Sequence, residues 1–128
     1  MSEKTKLLLA DLEAALARLD GALARPPDEF IRDSAIQRFE FTFELFWKVL
    51  KAFCDDEGLR VHSPREALRG AFQVGLLADD EGVFRMLEDR NLTSHTYNVA
   101  TAEAIFSRLP AHAASIRAAL EALGARVR

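Results

Sequence analysis

The chain has 128 residues, 49% of them apolar, and carries a formal net charge of −3. That length fits one domain over residues 1–128, and the apolar share is enough for a buried core, which argues against disorder. Bulk charge does not advertise nucleic-acid binding, although phosphate recognition needs only a local basic patch.

A single cysteine, Cys54, excludes an intramolecular disulfide framework, and its apolar helical setting near Leu50 and Phe53 suits a small core filler. The histidines lie far apart and no cysteine pairs exist, so no zinc site is visible and neither a metal nor another cofactor is expected. The N-terminal apolar run is too short for a signal segment, and no window approaches the ~18 apolar residues of a membrane span. A soluble cytoplasmic protein with no membrane association is expected.

Leu9, Leu12, Leu16, Leu19 and Leu23 recur at spacings of three and four, which predicts a helix over residues 3–24. Ser2 suits its N-cap, and Pro26-Pro27 stops it. A second helix is predicted over residues 31–55, with Ile36, Phe39, Phe43, Phe46, Leu50 and Phe53 as its seam. Phe41, Leu45 and Val49, with Trp47 nearby, add a second apolar row, more than one bundle seam needs. Such a helix is either deeply buried at the centre or packed on its own bundle on one side and a partner chain on the other. Gln37, Glu40, Glu44, Lys48 and Lys51 form its polar stripe. Glu44 and Lys48 suit an i,i+4 pair, and Glu40 with Glu44 reads as a solvated or salt-bridged face rather than a metal site.

Gly58 closes that helix, and Ser63-Pro64-Arg65-Glu66 is a helix-start signal with the N-cap, first-position proline and capping-box glutamate in order. The short third helix runs to about Val74 and buries Leu68, Ala71 and Phe72; His62, before it, is expected to be exposed. Asp79, Asp80 and Glu81 crowd the start of a fourth helix, where negative charge suits the dipole, and Phe84 and Leu87 supply its buried face. Thr93, Ser94 and Asn98 compete for backbone hydrogen bonds, which predicts a break near residues 92–98. The last helix starts near Val99 and buries Ala102, Ile105, Phe106, Leu109, Ala113, Ile116, Leu120 and Leu123. Pro110 is expected to kink or divide it, His112 to face solvent, and Gly124 to cap its end before Arg126 and Arg128. No strand pattern appears. The expected fold is all-α, an antiparallel up-down four-helix bundle with an extra short helix.

Between the fourth and last helices, residues 90–97 gather Arg90, Asn91, hydroxyls, His95 and the only tyrosine, Tyr97. The same run can be plain capping structure, but its residue types suit phosphodiester chemistry. Arg90 offers a permanent cation with a forked donor set for phosphate, and His95 a base or acid near neutral pH. Asn91 can orient His95 or bind phosphate, and Tyr97 can hydrogen-bond substrate or accept a modification. On one unbroken helix, Arg90 and His95 would project about 140° apart. Serving one substrate atom therefore requires a break between them or a second chain that brings a second Arg–His pair to the same cleft.

Arg90-x-x-x-x-His95-x-Tyr97 matches the R-x-x-x-x-H-x-Y signature of the HEPN superfamily, with the polar residue after the arginine supplied by Asn91. Residues 33–51 (DSAIQRFEFTFELFWKVLK), Ser63-Pro64-Arg65-Glu66 and residues 89–98 (DRNLTSHTYN) resemble one branch of it. These are the nucleotidyltransferase substrate-binding proteins encoded beside a minimal nucleotidyltransferase. The resemblance implies an all-α up-down bundle, a homodimer with the two motifs near its interface, and a minimal nucleotidyltransferase as partner. It further implies a toxin–antitoxin pair. On that resemblance the chain is expected to be a metal-independent endoribonuclease with Arg90 and His95 catalytic and Tyr97 adenylylated by the partner; from their residue types, Asn91 and Tyr97 are the expected contacts to an RNA or nucleotide ligand. The alternative it leaves open is a non-catalytic subunit that binds nucleotide or substrate for a split nucleotidyltransferase.

Overall fold

The computed structural model describes residues 2–78 and 80–127 and is built from helices joined by short connections. α1 spans Glu3–Leu23, α2 Glu29–Asp56, α3 Pro64–Gln73, α4 Asp80–Leu92 and α5 Val99–Val127, with a single 3₁₀ turn at Thr93–His95 between the last two. Local chemistry sets the boundaries. The Ser2 hydroxyl accepts from the Thr5 N–H, Asp28 accepts from Ile31 N–H, and Ser63 accepts from Glu66 N–H, each satisfying a donor that the first turn leaves orphaned. Glu66 reaches back one residue beyond the cap, taking the N–H of His62 at 2.7 Å. Gly58 and Gly75 follow α2 and α3 with φ of +83° and +79°, a conformation that costs other residues a Cβ clash. Asp79 and Arg128 lie outside the described residues.

Helix directions follow from who meets whom. Thr5, at the start of α1, donates to Asp56, at the end of α2, so those two run antiparallel. Arg32 reaches Glu103 near the start of both α2 and α5, and Arg126 reaches Glu57 near their ends, so that pair runs parallel. Asp89 meets Arg108, while Val83 shares a groove with Ala118 and Ala119, so α4 runs antiparallel to α5. α1, α2, α4 and α5 are therefore an up-down four-helix bundle, and α3 packs on α2 and α4 as the extra helix.

α2 is the central helix. Phe39, Phe43, Phe46, Val49 and Leu50 are fully buried and join Leu12 and Leu19 of α1, Leu68 of α3, Met86 of α4 and Ile105, Leu109 and Ile116 of α5 in one continuous core. Burying each such side chain contributes about 1.5–3 kcal/mol. The second apolar row of α2 is mostly covered within the chain. Leu45 and Trp47 pack against the core, and Phe41 lies under the Arg18 guanidinium at 5.1 Å. Cys54 is buried, and burial pushes its thiol up from the ordinary value.

The C-terminal helix is neither divided at Pro110 nor ended at Gly124. Pro110 does not divide it: α5 is one helix from Val99 to Val127, because Pro110 sits on the exposed face, where water can serve the carbonyl that its missing N–H abandons. Gly124 does not cap it either; the helix continues past Gly124, which keeps a helical backbone with φ below zero. Among the described residues, no helix is long and apolar enough to cross a membrane.

Candidate functional site

Arg90 occupies the last turn of α4 and reaches across to α2. Its Nη2 lies 3.4 Å from Glu44 Oε1 and its Nη1 3.9 Å from Glu40 Oε2. Those carboxylates stand one turn apart on α2, so one guanidinium can face both. Arg90 Nη1 also donates to Thr93 Oγ1 at 3.0 Å. Its Nε is buried with no hydrogen-bond partner among the described residues. A buried, unsatisfied donor costs stability, so the site carries a cation held under-satisfied. Glu44 does not form the expected pair with Lys48; it faces Arg90 and accepts from Trp47 Nε1 at 3.1 Å.

α4 stops where the hydroxyls take over its carbonyls. Thr93 Oγ1 donates to Arg90 O at 2.6 Å and Ser94 Oγ to Asn91 O at 3.1 Å, and the chain tightens into the 3₁₀ turn Thr93–His95. Asn98 then caps α5, its Oδ1 accepting from Thr101 N–H at 3.1 Å. The predicted break therefore falls between Arg90 and His95. His95 and Tyr97 lie at the turn, both exposed, with ring centroids 6.1 Å apart in an edge-on contact. Tyr97 is 84% exposed, and Leu92, Val99 and Phe30 are exposed apolar neighbours in the segments that meet at this end of the bundle. Asn91 is exposed beside Arg90. The structure thus brings His95 and Tyr97 together and pairs Arg90 with α2. No hydrogen bond, ion pair or ring contact joins Arg90 to His95 among the described residues.

His112 is not exposed. It is 3% accessible, its Nε2 lies 2.6 Å from Asp89 Oδ2, and its ring stacks on Phe39 with centroids 5.4 Å apart. Arg108 completes the arrangement with two hydrogen bonds to the same carboxylate, at 2.7 and 2.8 Å. Burial pushes the Asp89 carboxyl up, but the hydrogen bonds from Arg108 and His112 outweigh it and hold the group below the usual carboxylate range. The Asp89 hydrogen bond in turn raises Arg108. The signal for His112 was in the seam: Leu109, His112 and Ile116 continue the spacing of three and four that buries the helix. The partners lie on another helix, which periodicity cannot supply. Among the described residues, no group of three or more His, Cys, Asp or Glu is arranged to hold a metal ion.

Comparison with known proteins sets this geometry in a family. The model of the family "Nucleotidyltransferase substrate binding protein like" matches residues 7–125. A Haemophilus influenzae protein named "Probable ribonuclease HepT" is 28% identical over 121 residues, covering 81% of this chain and 83% of its own. A crystal structure of a Thermus thermophilus protein is 45% identical, with a TM-score of 0.78 over 91% of this chain and 98% of its own. A second solved structure, from Haemophilus influenzae, is 26% identical, with a TM-score of 0.80 over 90% of this chain and 98% of its own. It is described as revealing the fold of a substrate binding domain of a nucleotidyltransferase. The resemblance carried by the motif strings therefore holds, and the chain belongs to the nucleotidyltransferase substrate-binding-protein family.

Proposed function

We propose that this chain is the HEPN component of a two-component system with a minimal nucleotidyltransferase, acting as an endoribonuclease toxin that its partner silences. The observation that carries the reading is the break in the chain between Arg90 and His95. It leaves an exposed imidazole on a short turn and an under-satisfied guanidinium one helix-end away. The relative named as a probable ribonuclease supports it.

In this mechanism His95 takes the proton from an RNA 2′-hydroxyl, and the freed oxygen attacks the adjacent phosphorus. The 5′-oxygen leaves with a proton from a second acid, and a 2′,3′-cyclic phosphate remains. No metal is required. Arg90 holds the phosphate and offsets the charge that builds on its oxygens. Within one chain no hydrogen bond, ion pair or ring contact joins His95 to the Arg90–Glu44 pair among the described residues, so in this reading a homodimer supplies the second His95 and closes the cleft. Exposed Leu92, Tyr97 and Val99 border the motif, as a contact surface between copies would. Asn91 contacts the phosphate from beside Arg90. Tyr97, 84% exposed, gives a partner nucleotidyltransferase a hydroxyl that can attack the α-phosphate of ATP, releasing pyrophosphate and leaving an adenylyl group beside His95.

The description of the Haemophilus influenzae structure favours a different reading: a non-catalytic subunit that presents nucleotide or substrate to the partner enzyme, with Arg90 and Asn91 on the phosphate. One experiment separates the two. Purified protein is incubated with transfer and messenger RNA in chelator, beside His95→Ala. The ribonuclease reading expects cleavage with cyclic-phosphate ends that falls by at least about 10²-fold in the variant. Uncut RNA, from protein shown by mass spectrometry to carry no adduct on Tyr97, rejects it in favour of the binding subunit.

A further inference from the structure

A groove opens one helical turn beyond Glu44 that the chemistry above does not use. It runs between the start of α1 and the last turns of α2 and encloses about 290 Å³. Leu8, Trp47 and Ala52 give it apolar walls, and Lys4, Lys48 and Lys51 line it with ammonium groups. Trp47 is the only tryptophan of the chain, and the three lysines are all but one of its lysines. The groove also contains Asp55 and Asp56, but both are engaged: Asp55 pairs with Lys51 at 3.3 Å, and Asp56 accepts from Thr5 Oγ1 at 3.1 Å. Lys4 and Lys48 have no ion-pair partner among the described residues.

The groove is joined to the candidate site by one residue. Glu44 touches Arg90 on one side and fixes the Trp47 indole through Nε1 on the other. At about 1.5 Å of rise per residue, Lys48 and Lys51 stand roughly 6 and 10 Å along α2 from Glu44. A stacked single strand advances about 3.4 Å per nucleotide, so that distance is two to three nucleotides. An aromatic face with ammonium groups at phosphate spacing is how proteins hold single strands without reading sequence.

We propose that this groove is a subsite for single-stranded RNA flanking the phosphate held at Arg90, in which a base stacks on Trp47 and Lys4, Lys48 and Lys51 take neighbouring phosphates. It rests on the reading that RNA is the ligand of the Arg90 site. The test uses the full chain with His95→Ala, to prevent turnover, and an eight-nucleotide oligoadenylate. Binding is followed by anisotropy of labelled RNA and by fluorescence of Trp47, which reports on the groove alone. Binding is expected to change the Trp47 emission. Adding Lys48→Ala and Lys51→Ala is expected to weaken binding about tenfold and to lower the slope of log affinity against log salt by about 1.4, since each phosphate contact to a single strand contributes about 0.7. RNA that binds without moving Trp47 emission, an unchanged salt slope in a variant whose helicity is intact, or no RNA binding at all overturns the subsite. Cleavage by the unsubstituted chain is measured in parallel. Intact RNA there, with Trp47 still responding to the oligonucleotide, rejects the ribonuclease reading and leaves the subsite standing.

Discussion

The His112 imidazole and the Asp89 carboxylate meet at 2.6 Å inside the bundle, one residue before Arg90. Both groups are almost inaccessible, and the contact crosses from α5 to α4. A buried ionic group is weak evidence for stability, because a well-packed apolar replacement often does as well. Its value is directional. Arg108 grips the same carboxylate with two bonds, so the last turn of α4 can settle on α5 in one register only. That register aims Arg90 at Glu40 and Glu44 and sets where the 3₁₀ turn begins.

Asp89→Asn keeps the shape and removes the charge. It leaves Arg108 and His112 facing a neutral amide, and a loss of about 3 kcal/mol at pH 7 is expected. Urea unfolding of the two proteins measures it. The acid limb gives a second readout. The folded pKa of Asp89 lies below the unfolded value of about 3.9, so as pH falls the unfolded chain binds the proton first. The stabilisation is complete above that value and disappears as pH drops through the lower, folded one. The gap between wild type and Asp89→Asn should therefore close below about pH 4. A gap that stays constant to about pH 2 would show that the loss in Asp89→Asn does not come from the Asp89 charge.

The bundle was legible in the sequence because its information is local. The leucine stripe of α1, the phenylalanine seam of α2 and the caps at Ser2 and Ser63 each need only neighbours within one turn. The break after Leu92 was legible for the same reason, since Thr93 and Ser94 bond carbonyls three residues back. What pairs across helices was not. Glu44 had a lysine four residues on, yet Arg90 and Trp47 take it; His112 had no visible partner, yet Asp89 waits on α4. That Pro110 leaves α5 undivided was not legible, because a proline's effect depends on which face it occupies, and that face is set by the packing of α5 on α2.

Gly70 and Gly124 are both helical, and substitution by alanine should move stability in opposite directions. A Cβ on Gly70 would lie 3.1 Å from Leu59 and Val61 side-chain carbons and 3.2 Å from the Cys54 sulfur. Three core neighbours must then give way together, at about 1–3 kcal/mol, against a helix-propensity gain of about 1 kcal/mol. Gly124 meets nothing within 4 Å. Gly70→Ala is expected to lower the melting temperature by a few degrees and Gly124→Ala to raise it slightly. Thermal unfolding of the pair checks the packing of α3 on α2 with no assumption about function.

Glu44→Gln tests how the cation at the site is used. In the free protein Arg90 faces two carboxylates, so an incoming phosphate must compete with them for the guanidinium. Glutamine removes one competing charge and the repulsion it exerts on phosphate, while its amide oxygen can still accept from Trp47 Nε1. A partly exposed ion pair is worth about 1 kcal/mol or less, so RNA affinity on a His95→Ala background should rise up to about fivefold at low salt. The advantage should fade as salt screens the remaining charges. Glu121→Gln, exposed toward the other end of α5, changes net charge equally and is expected to leave affinity nearly unchanged. Titration of labelled RNA at two salt concentrations distinguishes the outcomes. Weaker binding in Glu44→Gln would mean that the carboxylate holds Arg90 in position rather than competing for it.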